Sequence, residues 1–449
     1  MSADPFALPL GATPDAGGVG FRVWSPGSER VDVVLVSPGG ERIVPLIGDA
    51  GGYFSGRVEG VRPGAIRFVE GRIEATGDVN PQDGDETIDA RGQLIAPGLV
   101  DFGVFAIDKP AFHFGGITRA ALMPDSGPLD GAGLVERAAK GGKPDLWVHP
   151  LAAATKGLEG RELAEIGLMK QAGARAVATG RARIADSGVM RRVLSYAASL
   201  GLVTIIHAED EGLTAGAVAT DGEMATRLGL ASAPAIAEAM AIARDLALVE
   251  ETGAPVHFRQ VTTARGLDLI RAAKAKGLPV LCGITPAHLL LSDTAIGDFR
   301  TFARLSPPLR SEDDRHACLA AIKDGTIDIL SSGHDPRGPE DKRLPFAEAL
   351  PGMAGAETLL ALGLNLVRDG HISPGRLFEL LAATPACLLG VDAGKLAPGK
   401  EADLILVDDG TPWQVDAKKM AAWAGNTPFD GMPVQGRATM MWKGGLRIR

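Results

Sequence analysis

Cysteine is scarce in this chain, which has Cys282, Cys318 and Cys387 among its 449 residues. These three lie far apart and in apolar surroundings, so we expect neither a disulfide framework nor a cysteine-type zinc site. A chain without disulfides suits a reducing compartment, so a cytoplasmic location is predicted. Apolar runs stay below the roughly 18 residues that a membrane helix needs, so no membrane association is expected. The first residues lack a basic segment followed by an apolar core, so no signal peptide is expected.

Positive charge is also in short supply, since 46 lysines and arginines stand against 55 aspartates and glutamates, a net charge of −9. Because nucleic acids and anionic membranes repel an acidic protein, neither is expected to be the main partner.

Short catalytic motifs are missing as well. The sequence has no Gly-x-Ser-x-Gly elbow, no Gly-x-x-x-x-Gly-Lys-Ser/Thr phosphate loop and no His-Glu-x-x-His motif, so none of these chemistries is indicated.

The centre of the chain alternates short apolar runs with longer helical stretches. The pattern predicts strands at 146–150, 174–178, 203–207, 256–261, 279–284 and 327–331, and helices at 160–172, 189–200, 233–252 and 264–275. The run at 94–105 contains a Pro-Gly turn and is almost wholly apolar, which is typical of a strand buried on both faces. This alternation favours an α/β fold, a (β/α)8 TIM-type barrel with its active site at the strand carboxyl ends.

Both ends of the chain are predicted to be rich in β-strands. Short strands between Pro-Gly and Gly-Gly turns fill the first 60 or so residues, and a hairpin is predicted to turn at Glu70 and Gly71. Further strands are predicted at 394–407 and 436–449. We therefore predict three parts, listed in chain order: an N-terminal β-sandwich-like module at 1–63, a small composite β-sandwich from 64–96 and 392–449, and the barrel at 97–391.

A series of motifs across residues 65–449 resembles dihydroorotase-type amidohydrolases. In chain order the motifs are Pro-Gly-Leu-Val-Asp at 97–101, Gly-Gly-Ile-Thr at 115–118, Met-Pro at 123–124, the His-Pro to Thr-Lys-Gly segment at 149–157, His-Ala-Glu-Asp at 207–210, Thr-Pro-Ala-His-Leu at 285–289, Pro-Pro-Leu-Arg at 307–310, Pro-Gly-Met-Ala-Gly-Ala-Glu-Thr at 351–358 and Asn-Thr-Pro-Phe-Asp-Gly at 426–431. Their order and spacing make the resemblance specific. It implies a barrel protein of de novo pyrimidine biosynthesis.

In that family a metal-bound hydroxide opens the amide ring of dihydroorotate, and an aspartate moves the proton. Imidazoles and carboxylates at strand ends hold the metal, which lowers the pKa of its water and keeps one coordination position open. The resemblance places most of these functional positions on unsuitable residues of this chain. The degenerate positions are Gly103 and Phe105 for the first histidine pair, Thr179 for the bridging acid, Gln260 for a further histidine, Ser306 for a substrate asparagine, Gly333 for the aspartate and Arg337 for the histidine after it.

His207 is the one metal-ligand position that the chain retains. Because a single imidazole holds a divalent ion poorly, His207 is interpreted as a hydrogen-bonded core residue, and so are His257 and His288. In that case we expect no cofactor. In the alternative, His207, His257, His334 and Asp335 form a rearranged zinc site in which His334 or Asp335 is catalytic.

A barrel that keeps its packing motifs and loses its ligands indicates a protein retained for its surface. The chain is similar to non-catalytic dihydroorotase-like polypeptides needed to assemble aspartate carbamoyltransferase. The first hypothesis is therefore a structural subunit of that transferase, within an oligomer. The second is an active amidohydrolase with a rearranged site.

A third hypothesis concerns the first 62 residues, which resemble a truncated N-terminal β-sandwich of trehalohydrolases and debranching enzymes. The resemblance rests on the Phe-Arg-Val-Trp-Ser-Pro and Ser-Glu-Arg-Val-Asp-Val-Val-Leu segments. It implies a carbohydrate-binding appendage, for which Trp24, Tyr53 and Phe54 are the candidate sugar-contact rings. A spacer without sugar affinity is the preferred interpretation.

Overall fold

The computed structural model describes residues 11–15, 18–24, 32–37, 40–48, 53–59, 65–77, 79–90, 92–125, 127–181 and 183–449, with side chains at 44–48 and from 65 onward in these ranges. The chain divides into two compact units. The first comprises residues 1–94 and 397–399, and the second comprises 95–396 and 400–449. None of the helices in these ranges combines the length and the apolar character that crossing a membrane requires.

The first unit contains antiparallel strands. They are β1 (Gly11–Asp15), β2 (Gly18–Trp24), β3 (Asp32–Ser37), β4 (Gly40–Pro45), β5 (Ile47–Gly48), β6 (Tyr53–Glu59), β7 (Ala65–Val69) and β8 (Arg72–Gly77). One sheet has the order β1-β2-β6-β5, while β3–β4 and β7–β8 are hairpins. The predicted turn at Glu70 and Gly71 is confirmed: their φ angles of 49° and 79° suit a two-residue hairpin. The side chains of Trp24, Tyr53 and Phe54 lie outside the described residues.

The other strands build a barrel and two smaller sheets. They are β9 (Leu94–Pro97), β10 (Leu99–Val104), β11 (Ile117–Leu122), β12 (Trp147–Ala153), β13 (Ala176–Ala178), β14 (Thr204–Ile206), β15 (Ala219–Thr220), β16 (Ser232–Ala233), β17 (Val256–Phe258), β18 (Val280–Ile284), β19 (Ile329–Leu330), β20 (Leu404–Gln414), β21 (Pro433–Lys443) and β22 (Leu446–Arg447). The barrel sheet has the order β10-β11-β12-β13-β14-β17-β18-β19, with every neighbouring pair parallel. Just beyond its first and last strands, the Phe105 N–H donates to the His334 carbonyl at 2.9 Å, so the barrel is nearly closed.

Helices follow the barrel strands along the chain. They are α1 (Lys109–Gly115), α2 (Ala132–Lys140), α3 (Ile166–Gln171), α4 (Ser187–Ser199), α5 (Glu211–Thr214), α6 (Glu223–Leu228), α7 (Ile236–Thr252), α8 (Ala264–Ala275), α9 (Pro286–Leu290), α10 (Glu312–Lys323), α11 (Pro339–Lys342), α12 (Leu359–Arg368), α13 (Pro374–Phe378) and α14 (Thr384–Leu388). Side-chain caps fix several starts. Asp186 accepts the Val189 N–H before α4, and Ser311 accepts the Asp314 N–H before α10.

The helix predicted at 160–172 is wrong in its first half, because α3 begins only at Ile166. Gly160 has a φ of 71°, and its N–H donates to Thr155 Oγ1 at 3.0 Å. Thr155 also forms an isolated antiparallel bridge with Leu163. These contacts with Thr155, which follows β12, hold residues 160–163 in a loop. The apolar spacing of the segment is that of a helix and gives no sign of the loop.

A second sheet contains the C-terminal strands, in the order β22-β21-β20-β9. Of the two strand regions predicted at 394–407 and 436–449, the first is wrong before Leu404, where β20 begins, while β21 and β22 cover most of the second. Strand β9 lies one residue before β10 in the chain, so this sheet leads directly into the barrel. The predicted domain bounds, 1–63, 64–96 with 392–449, and 97–391, stay a prediction.

The apolar core of the second unit has two layers, which strand β10 joins. Val100 and Phe102 belong to the cluster inside the barrel. Leu99 and Val104 belong to the layer between the strands and the helices. Because both faces are covered, all six residues of β10 are buried, which explains its nearly continuous apolar sequence.

Candidate functional site

The first barrel strand brings Gly103 and Phe105 to the carboxyl-terminal face of the barrel. A β-bulge lies between Phe102 and Val104, and Gly103 within it has a φ of 82°, which glycine adopts without strain. The bulge directs Phe105 inward, where it is 5% exposed and packs with the interior cluster. Gly103 and Phe105, the positions predicted for the first histidine pair, therefore lie at the barrel mouth, and neither offers a metal donor.

Two guanidinium groups cover the Phe105 ring. The central carbons of Arg181 and Arg259 lie 3.7 and 5.1 Å from the ring centroid, as in cation–π contacts. The Arg259 side chain also packs against Gly103, where an added Cβ would lie 3.3 Å from Arg259 Cδ. Burial and the nearby Arg181 lower the pKa of Arg259 to about 10, so Arg259 remains a cation at neutral pH.

Sequence reasoning missed Arg259, although it follows directly on an apolar strand. It lies two residues beyond His257, and side chains two positions apart on a strand share a face. His257 lies inside the barrel, with its ring 5.0 Å from that of Phe102. The alternation of β17 therefore carries Arg259 to the same interior, at the barrel mouth.

His207 follows β14, and its backbone N–H and both ring nitrogens contact protein groups. Its backbone N–H donates to Thr179 Oγ1 at 3.1 Å. Its Nδ1 lies 3.5 Å from Arg259 Nη2, and its Nε2 lies 3.2 Å from Glu209 Oε2. Burial acts to raise the pKa of Glu209, but His207 and Arg310 outweigh it and hold that pKa at about 2. His207 is thus part of a charged hydrogen-bonded network.

Gln260, Ser306 and Gly333 line a narrow space at the same face. Gln260 Nε2 is 3.5 Å from Thr285 Oγ1, and within the described residues its Oε1 has no hydrogen-bond partner. Gly333 has a φ of 60°, and an added Cβ would lie 2.9 Å from Thr285 Cγ2. A carboxylate at position 333 would therefore require Thr285 to move.

Asp335 is held by two arginines. Its Oδ2 accepts from Arg181 at 2.7 Å and from Arg337 at 3.2 Å. Arg181 also receives support from Asp125, whose Oδ1 accepts the Arg181 backbone N–H at 2.8 Å. The carboxylate that sequence analysis considered for a rearranged site is therefore a counter-ion for two guanidinium groups.

His334 points away from Asp335. Its Nε2 lies 3.7 Å from Asp108 Oδ2, and its ring lies 5.2 Å from that of Phe112. His257 is fully buried inside the barrel, and its two ring nitrogens have no hydrogen-bond partner among the described residues. The structure therefore does not bring His207, His257, His334 and Asp335 together.

His288, the third histidine interpreted as a core residue, is hydrogen-bonded within the core. Its Nδ1 lies 2.9 Å from Thr285 Oγ1, and its Nε2 lies 3.2 Å from the Pro307 carbonyl. Burial is the main cause that lowers the pKa of His288 to about 4, so its ring is neutral at pH 7.

Two adjoining cavities open at this face. The larger has a volume of about 230 Å³, and its lining includes Arg181, Arg183, His207, Glu209, Arg304 and Ser306. The smaller has a volume of about 20 Å³, and its lining includes Phe105, Arg181, Arg259, Gln260, Ser306 and Asp335. Since Arg181 and Ser306 line both, the two spaces form one pocket in the position expected for a barrel active site.

The donors at this face do not fit the zinc ion that the family resemblance implies. A catalytic zinc site uses three protein ligands and one open position. Across the described ranges, no group of three or more His, Cys, Asp or Glu side chains could hold a metal ion. A divalent ion at His207 would also meet the Arg259 guanidinium, 3.5 Å from His207 Nδ1, and be repelled by it.

Replacing Gly103 by alanine is expected to lower the free energy of unfolding by about 2 kcal/mol, measured by urea denaturation. The added methyl group is strained at a φ of 82° and presses on Arg259. Gly277→Ala is the matched control, because Gly277 has a φ of 77° with nothing within 4 Å of an added Cβ. Equal losses in the two variants would contradict close packing of Arg259 against Gly103.

Comparison with known protein families gives two matches. The model of the dihydro-orotase-like family matches residues 92–265. The model of carbohydrate-binding module 48, the isoamylase N-terminal domain, matches residues 9–82.

Similar proteins extend the first match over most of the chain. A dihydroorotase of Geobacter metallireducens is 38% identical over 398 residues, which are 85% of this chain and 93% of that protein. A dihydroorotase of Anaeromyxobacter dehalogenans is 37% identical over 431 residues, 92% of this chain and 97% of that protein. Among solved structures, the L-hydantoinase of Arthrobacter aurescens has a TM-score of 0.77 at 27% identity, covering 88% of this chain and 93% of its own. This likeness confirms the predicted TIM-type barrel with additional β modules.

Proposed function

Because this chain belongs to the dihydroorotase-like family, we propose that it is a catalytically degenerate member that acts in de novo pyrimidine synthesis as a structural subunit of aspartate carbamoyltransferase. The relatives named dihydroorotase support the link to that synthesis. The observation that carries the proposed degeneracy is the place of Arg259. Its guanidinium lies beside the one retained ligand position, His207, and over Phe105.

The chemistry of ring opening supports the same proposal. Hydrolysis of a cyclic amide needs an activated water and a group that moves a proton. A guanidinium supplies neither function at neutral pH, because it remains protonated. Gly333 has no side chain at the position of the proton-transferring aspartate, and Asp335 nearby is engaged by Arg181 and Arg337. The residues at this face can orient a bound molecule but have no evident means of hydrolysing it.

The packing of Arg259 also explains how the barrel mouth can remain folded without a metal ion. The aliphatic part of the side chain fills the space against Gly103, and the charged end contacts His207 and Phe105. One side chain thus supplies both the volume and a positive charge at this place. A scaffold role requires such a stable barrel and does not require turnover.

The partner is proposed from the resemblance to non-catalytic dihydroorotase-like polypeptides that assemble with aspartate carbamoyltransferase. The surface of the second unit supplies side chains of the kind that interfaces bury. Trp423, Phe299 and Leu350 are 60%, 48% and 42% exposed. Aromatic side chains are enriched at protein interfaces, and Trp and Tyr often dominate the binding energy there.

The alternative is an active, metal-dependent dihydroorotase with a rearranged site. It is favoured by the names of the relatives and by the retained pair of His207 and Glu209 at the edge of the larger cavity. It requires ligands that the described residues do not bring together at this face.

Metal analysis and an activity assay on one sample separate the two proposals. The full chain, purified without chelator, should contain less than about 0.1 zinc per chain, because a one-imidazole site binds zinc weakly. Hydrolysis of dihydroorotate with added zinc should stay at the rate without protein. The chain should co-purify with aspartate carbamoyltransferase of the same organism.

One or two zinc ions per chain together with turnover would contradict the scaffold proposal and favour the alternative. Absence of both metal and turnover, combined with a separately eluting aspartate carbamoyltransferase, would contradict the partner while leaving the degeneracy in place. A matched control is the transferase expressed without this chain, which should lose assembly state or activity if the proposal holds.

For the N-terminal module we propose a spacer role, although the match to carbohydrate-binding module 48 favours a second candidate, sugar binding. No glucan-processing barrel accompanies the module in this chain. Retention of the full chain on immobilised glycogen, lost on Trp24→Ala, would contradict the spacer role.

A further inference from the structure

Arg304 borders the larger cavity and forms no ion pair with a described carboxylate. Among the described residues, the ion pairs at this face join Arg181 and Arg337 to Asp335, Arg183 to Asp210 and Arg310 to Glu209, and none includes Arg304. Its Nη1 donates to the Leu305 carbonyl at 3.2 Å, while its buried Nε has no hydrogen-bond partner in this part of the structure. Arg304 therefore borders the cavity without a direct ion pair among the described residues, and Glu209 on the same cavity wall acts on it only through space.

Arg183 and Arg259 repeat this feature on the other walls of the pocket. The Arg183 side chain is 8% exposed and pairs with Asp210 through Nη1, yet its buried Nε lacks a partner among the described residues. Arg259 is 4% exposed, its Nε likewise lacks a partner there, and it forms no described ion pair. Three arginines thus line one pocket, and each has a buried Nε that no described protein group uses.

The nearby carboxylates are already engaged elsewhere or lie at the rim. Glu209 pairs with His207 at 3.2 Å and with Arg310 at 3.0 Å. Asp335 pairs with Arg181 and Arg337. Glu211 lines the larger cavity from an exposed position. Glu209 acts on Arg304 and Arg259 only through space, as do Asp125 and Asp335 on Arg259. Since a buried cation is most stable with a directly paired anion, a bound anion would complete the pairing of these arginines.

We propose that this pocket binds a small organic anion through a carboxylate or phosphate group, held by Arg304, Arg183 and Arg259. The planar guanidinium presents paired N–H donors that match both groups. The larger cavity, with a volume of about 230 Å³, admits a small carboxylate or phosphate, and the smaller one adjoins it. The inference rests on the proposed function in one respect: the anion binds without being hydrolysed and so acts as a regulator of the scaffold.

The test is isothermal titration calorimetry of the full chain with succinate and, separately, with inorganic phosphate. We expect one of them to bind at a ratio of 1:1, and the neutral analogue succinamide to bind at least about tenfold more weakly, the loss expected when charge-assisted hydrogen bonds are replaced by neutral ones. Succinate binding would assign a carboxylate ligand, and binding of phosphate alone would assign a phosphate ligand.

Arg304→Gln should weaken binding at least about tenfold, and Arg304→Lys less, because lysine keeps the charge without the paired donors. Arg265→Gln is the matched control, since Arg265 is an exposed arginine on α8 and its loss changes the net charge equally. Arg183→Gln provides a second variant if Arg304→Gln does not fold. Failure of both anions to bind, or equal affinity in the arginine variants and the control, would overturn the proposal.

The two proposals fail separately. Absence of anion binding would overturn the anion site and leave the scaffold role in place. Hydrolysis of dihydroorotate by the same sample would contradict the scaffold role, while anion binding sensitive to Arg304→Gln would still establish the arginine site.

Discussion

Glu238→Ala is expected to lower the free energy of unfolding by about 3–5 kcal/mol, because it removes one member of a buried charged network and leaves several buried N–H and hydroxyl donors without an acceptor. Glu238 lies on α7 and is fully buried. Its two oxygens accept hydrogen bonds from the backbone N–H and hydroxyl groups of Thr262 and Thr263, at distances of up to 3.1 Å. It also lies 3.5 Å from Arg310 Nη2. Alanine would remove all of these acceptors at once.

The measurement is urea denaturation of the main unfolding transition. Glu250→Ala is the matched control on the same helix, because Glu250 is exposed and its contact with Lys276 is a 3.5 Å surface pair. A surface substitution of this kind should change stability by at most about 0.5 kcal/mol. Similar losses in the two variants would show that the Glu238 network contributes little.

The Glu238 network also supports the candidate site. Arg310 donates to Thr262 Oγ1 at 2.9 Å and pairs with Glu209, which in turn contacts His207. This chain of contacts links the ends of β14 and β17. Loss of Glu238 should therefore weaken anion binding at the pocket as well as global stability.

His257→Leu is expected to remove a large part of the acid sensitivity of the fold. Burial, with the nearby Arg259, lowers the pKa of His257 to about 3 in the folded protein. In the unfolded chain a histidine has a pKa of about 6.5, so the unfolded state takes up the proton first as pH falls. The stability associated with neutral His257 is therefore fully present above pH 6.5 and is lost progressively toward pH 3.

This loss amounts to about 1.4 kcal/mol per pH unit, or about 3 kcal/mol at pH 4. Denaturation curves of the parent and the variant at pH 7.5 and pH 4 measure it. The difference in unfolding free energy between variant and parent should shift by about 3 kcal/mol in favour of the variant at pH 4. At pH 7.5 the variant should lose little, because the described residues give no hydrogen-bond partner to either ring nitrogen.

Cys282→Ala provides the control for packing. Cys282 is fully buried on β18, which pairs with β17, and burial raises the pKa of its thiol, so the thiol stays neutral across this pH range. Its replacement should change stability equally at both pH values. A variant His257→Leu that behaves in the same pH-independent way would contradict a neutral, buried His257.

The helices and turns that depend on a local sequence pattern could be predicted from the sequence. The helix predicted at 264–275 has the same bounds in the structure. The hairpin turn at Glu70 and Gly71 is also found where it was expected. Both depend on neighbours within a few positions, through helical periodicity in one case and left-handed backbone angles in the other.

The arrangement of the candidate site was far less predictable. His334 and Asp335 are adjacent in the sequence, yet one packs against Phe112 and the other pairs with Arg181. The partner Arg181 is 154 positions away from Asp335. Ion pairs between residues so far apart in the sequence depend on how the barrel closes, and a local sequence pattern does not predict them.

By itself the sequence determined the alternation of strands and helices, the barrel fold, and the residues, such as Gly103 and Gly333, that stand where the family resemblance leads one to expect functional side chains. These follow from hydrophobic periodicity and from residue identity at motif positions. Only the tertiary structure decided what lies at the barrel mouth: Arg259 packs against Gly103 and His207, and arginines whose Nε atoms have no partner among the described residues line the pocket. The physical reason is that the energy of a charged group depends on its distance to other charges and on its burial. The barrel fixes both by bringing together residues from distant strands.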